Sequence, residues 1–145
     1  MTPMEDIYKA FLSKMTDDDW TGWSEADANE DFNTLLDAAI AWFKFPKHSL
    51  EYDETNGFAE TLTSREIQII ATYMKCEWLN RTILTWENVK PLYDERDYSP
   101  ANFLNRLNNL LDKEKRKAKE LESLYYRTID NKPFDYTLFA GDNDD

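Results

Sequence analysis

Apolar residues recur three and four positions apart along almost the whole chain, and glycine stands only at Gly22, Gly57 and Gly141. That spacing gathers apolar side chains on one face of a helix. A chain so patterned must bury those faces against one another. The expected fold is therefore all-α, a small bundle of about four helices over residues 1–130. Residues 131–145 read as an extended acidic and aromatic segment.

The pattern also places the helices. The first is expected to begin at Thr2, with Pro3 in its first position and Glu5 completing a capping box. Met4, Ile7, Tyr8, Phe11, Leu12 and Met15 form its stripe. Ser24 caps a second helix with Asp27 as the reciprocal acid; Phe32, Leu35, Leu36, Ala39, Trp42 and Phe43 form its face, and Pro46 stops it. Residues 46–61 read as a loop with a turn at Asn56-Gly57. Thr63 and Glu66 make the clearest capping box in the chain, with Leu62 able to staple against Ile67. Ile67, Ile70, Ala71, Met74, Trp78, Leu79 and Ile83 line that third helix. Thr85 is expected to cap a separate short helical turn through Val89, Leu92 and Tyr93. Ser99-Pro100 opens the last helix, whose stripe of Leu104, Leu107, Leu111, Ala118, Leu121 and Tyr125 is broken only by Glu114.

Composition narrows the class of function. Hydrophobic residues make up 41% of the chain, too many for a disordered segment despite a net charge of −12. That charge opposes binding to nucleic-acid phosphates or an anionic membrane. The longest apolar run, Ala38 to Phe43, is far short of a membrane span, and the opening residues lack the pattern of a signal peptide. The single Cys76 allows neither an internal disulfide nor a Cys-rich zinc site. The expectation is a soluble intracellular domain.

Candidate chemistry is sparse. His48, the sole histidine, reads as a loop residue beside Pro46, because no nucleophile elbow or metalloprotease helix accompanies it. Asp17, Asp19, Thr21, Gly22 and Glu25 follow the start of a calcium-binding loop, but Ala28 stands where the bidentate Glu belongs. An acidic, solvated loop is the better reading. Cys76, between Met74 and Trp78, reads as a buried inert thiol, and the sequon at Asn80 lies within a helix. Lys113, Lys115, Arg116, Lys117 and Lys119 alternate with Glu114, Glu120 and Glu122, as on a salt-laced helix surface. No metal, cofactor or catalytic residue is expected. Aromatics outside the helical faces, Trp20, Trp23, Phe134, Tyr136 and Phe139 together with Leu138, are instead the candidate partner-binding residues, the alternative being that both segments fold back over the small core.

Two stretches carry a resemblance. Pro3-Met-Glu-Asp-Ile-Tyr-Lys-Ala-Phe-Leu-Ser-Lys-Met-Thr-Asp-Asp-Asp19 resembles the opening of small structural proteins of tailed bacteriophages. Phe58-Ala-Glu-Thr-Leu-Thr-Ser-Arg-Glu-Ile-Gln-Ile-Ile-Ala-Thr-Tyr-Met-Lys-Cys-Glu-Trp-Leu79, followed by the Ser99–Leu111 helix, resembles their central part. The family is the head–tail connector, or neck and adaptor, group. The resemblance implies a non-enzymatic helical virion protein without a cofactor. It implies self-association into a ring that meets the portal and other neck or tail proteins, with DNA only as passing cargo and no membrane partner. The implied location is the virion neck, and the host cytoplasm during assembly.

Charge is uneven, at net −10 over residues 1–62 and +3 over 98–132. Between Asp17 and Asp37 stand eight acids and no base. That run supports an alternative, an acidic DNA mimic that occupies the groove of a basic host protein.

Overall fold

The computed structural model describes residues 1–16, 19–89, 99–129 and 132–133. Among these, four helices carry the fold: α1 (Met4–Leu12), α2 (Glu25–Trp42), α3 (Ser64–Val89) and α4 (Ser99–Tyr126). A two-residue hairpin, β1 (Tyr52–Asp53) and β2 (Gly57–Phe58), joins α2 to α3, and a second, β3 (Thr128–Ile129) and β4 (Lys132–Pro133), follows α4. The protein is an all-α bundle.

Helix α3 is its axis and packs against α1, α2 and α4. Ile69, Ile70, Ala71, Thr72, Met74 and Leu79 are wholly buried, so apolar residues surround the helix instead of forming one stripe. Its start is fixed by sequence: the Thr63 N–H donates to Glu66 Oε1 at 2.8 Å, and the Glu66 N–H donates to Thr63 Oγ1 at 3.2 Å. Helix α2 begins as Ser24 dictates, its Oγ accepting from the Asp27 N–H at 3.1 Å. Between α1 and α2, Phe32 packs against Tyr8 and Phe11, with ring centroids 5.2 and 5.9 Å apart. The buried Tyr8 hydroxyl donates to Asn33 Oδ1.

Four expectations are corrected. Thr2 is not a helix cap, because its hydroxyl donates to the Glu60 carbonyl and accepts from the Leu62 N–H. Its backbone bridges Phe58, so the residues before α1 extend the first hairpin. This bridge needs Gly57, where φ is +86° and an added Cβ would stand 2.1 Å from the Thr2 carbonyl oxygen. Thr85 opens no new helix: its hydroxyl returns to the Arg81 carbonyl at 3.0 Å, and α3 runs through it to Val89. Leu92 and Tyr93 lie outside the described residues. Trp42 is 53% exposed, stacked on Tyr73 and donating to Glu77 Oε1 at 2.7 Å. It ends the apolar face of α2 without entering the core. Finally, Glu114 and Glu122 do not decorate a solvated surface. Both are buried, Glu114 against Lys75 at 3.1 Å and Glu122 accepting from the Tyr73 and Tyr126 hydroxyls.

Candidate protein-binding groove

The C-terminal half of α3 and the N-terminal half of α4 leave a groove of about 830 Å³ between them. On α3, Trp78, Arg81, Thr82, Thr85 and Trp86 face it, at helical spacings of three and four. On α4, Phe103, Arg106, Leu107, Leu110 and Lys113 face it in the same way. Trp86 and Phe103 meet edge to face with centroids 4.8 Å apart, and Phe103 remains exposed. The two Thr hydroxyls are taken up by carbonyls one turn back, so they offer a ligand little. The groove therefore presents aromatic rings and aliphatic floor, with cations along its edge.

Those cations differ in their commitments. Arg81 forms a two-point bridge to Asp31, at 2.6 and 3.0 Å, and Trp20 Nε1 donates to the same carboxylate at 2.7 Å. Burial raises the Asp31 pKa, but these donors outweigh it and hold the carboxyl below its ordinary value. Asp19, at the groove's end, accepts from Trp78 Nε1 at 2.7 Å. Arg106 and Lys113 are exposed and form no ion pair with the described residues. In a chain of net charge −12, this edge is locally positive.

The residues singled out from sequence fall in different places. The Trp20 ring is partly buried on Phe11 and Phe32, with centroids 5.6 and 5.1 Å away. Trp23 is 49% exposed. Phe134, Tyr136, Leu138 and Phe139 lie outside the described residues. Trp78 is core, and Cys76 is buried with its thiol pushed up to about 11 by burial and then by Glu114. An inert thiol follows from both.

A polar cluster at the other end of α3 was not legible from spacing. Glu66, wholly buried, accepts from the Thr63 N–H, from Tyr125 Oη at 2.8 Å and from His48 Nδ1 at 2.8 Å. Tyr125 Oη in turn accepts from the Lys47 N–H at 2.6 Å. Burial raises the Glu66 pKa, yet the Thr63, Tyr125 and His48 donors together bring it below its usual value. The cluster fastens the loop after α2 to the start of α3 and the end of α4. These contacts suit a clamp, with the His48 ring partly exposed at its edge.

A second concavity of about 900 Å³ lies between α1 and the first turns of α2, and Glu5, Glu25, Glu30 and Glu54 line it. Its lining sets those carboxylates beside Tyr8, Phe32, Met4 and Leu12, and is more acidic than that of the α3–α4 groove. No protein-family model matches the chain, and neither the curated proteins nor the solved structures compared with it contain a match. No helix among the described residues is long and apolar enough to cross a membrane.

Proposed function

We propose that this protein is a non-enzymatic structural subunit of a tailed-phage virion, a head–tail connector forming a ring between portal and tail and lining the DNA channel. The family assignment rests on the sequence resemblance. The observation that carries the mode of action is the α3–α4 groove, where exposed Phe103 and partly buried Trp86 stand beside the cations Arg106 and Lys113. Aromatic and arginine side chains concentrate at the centres of protein–protein contacts, the rings burying large areas at low entropic cost and the guanidinium offering several donors in one plane. A negatively charged body around a channel would also let DNA pass without sticking.

The alternative, a DNA mimic, needs carboxylates that face outward in rows. Of the acids between Asp17 and Asp37, Asp19 accepts from Trp78, Asp31 is bound by Arg81 and Trp20, and Asp37 accepts from the Tyr52 hydroxyl. A carboxylate already satisfied within the fold is a poor stand-in for a phosphate. Glu25, Asp27 and Glu30 are exposed and stay open to such a role, and the connector reading is preferred on the sequence resemblance. Its test is genetic: a phage lacking this chain should accumulate heads and tails as separate particles under the electron microscope. Normal tailed particles would overturn the proposal.

A further inference from the structure

The groove calls for an occupant with rings for its Trp86–Phe103 end and carboxylates for Arg106 and Lys113. Residues 134–145 of this chain contain both, with Phe134, Tyr136, Leu138 and Phe139 followed by Asp142, Asp144 and Asp145. Resting on the assembly reading above, we infer that the groove of one copy receives residues 134–145 of a second copy.

Reach separates the second copy from the first. Pro133 pairs with Thr128, two residues beyond the end of α4 at Tyr126. From Tyr126 back to Phe103 the helix runs roughly 35 Å at its standard rise. From Pro133 to Phe139 even a fully extended chain covers only roughly 20 Å. The aromatic residues of one chain therefore stop short of the aromatic end of its own groove. A neighbouring copy has no such tether. Charge favours the same pairing, because the three aspartates would meet Arg106 and Lys113, which form no ion pair with the described residues, at the groove's exposed edge. The contact joins two different surfaces, so its repetition is head-to-tail and generates a closed ring or an open filament.

The test uses full-length protein carrying a photo-crosslinking amino acid in place of Phe139, prepared with natural and with ¹⁵N isotopes and mixed equally at high concentration. Irradiation should link position 139 to peptides containing residues 81–86 or 103–113, with mixed-isotope pairs about as frequent as same-isotope ones. The charge reversals Arg106→Glu and Lys113→Glu, both at exposed positions, should lower the yield at least about tenfold. Links to the groove within one isotope only, links elsewhere, no links, or a yield indifferent to the reversals would each overturn the inference. If the chain is nevertheless needed to join heads to tails, this inference fails while the proposed function stands. Groove links in a chain dispensable for joining would mean the reverse.

Discussion

At the scale of single residues, Glu66 ties together the loop after α2, the first turn of α3 and the last turn of α4, through His48, Thr63 and Tyr125. The three donors favour the carboxylate, so its pKa is lower in the folded protein than in the unfolded chain. Such a group adds stability that is fully present above the unfolded carboxylate pKa and is lost as pH falls through the folded one. Glu66→Gln should therefore cost about 1.5–3 kcal/mol at neutral pH, the range for hydrogen bonds to a charged group. The difference from wild type should shrink once the pH falls below roughly 4, where unfolded carboxyls protonate. Urea unfolding of both proteins at neutral and acid pH measures it, and an equal difference at both would contradict the assignment.

At the scale of elements, the contact between α3 and α4 contains a buried ion pair, Lys75 with Glu114 at 3.1 Å, and Glu114 Oε2 takes no hydrogen bond from the described residues. Lys75→Met should cost about 3–5 kcal/mol, since it leaves Glu114 buried without its ion-pair partner. The double variant Lys75→Met with Glu114→Leu should recover most of that loss in urea unfolding. A double variant no more stable than the single one would show that the charge is not the cause. Sequence already contained the helices, because capping at Ser24 and at Thr63 with Glu66 is local chemistry. It could not show that the interruption at Glu114 faces inward, since its partner is 39 residues away on another helix. The same distance hid the α3–α4 groove: each wall reads as an ordinary amphipathic face, and only packing reveals that partly buried Trp86 meets exposed Phe103. Thr2 misled for a related reason, its hydroxyl being claimed by residues 58 and 60 positions further along the chain.

At the scale of the whole molecule, charge and shape point the same way. The acid-rich first half closes several of its carboxylates onto Trp, Tyr and Arg donors, while the basic stretch of α4 leaves Arg106 and Lys113 at the edge of an aromatic groove. The central proposal, membership of a virion's connecting ring, is tested most directly by quantitative mass spectrometry of purified particles from a phage that carries this chain. The account predicts a fixed, low copy ratio of this chain to the portal protein. Absence from the particles, with abundance in infected cells, would contradict it and favour the acidic inhibitor.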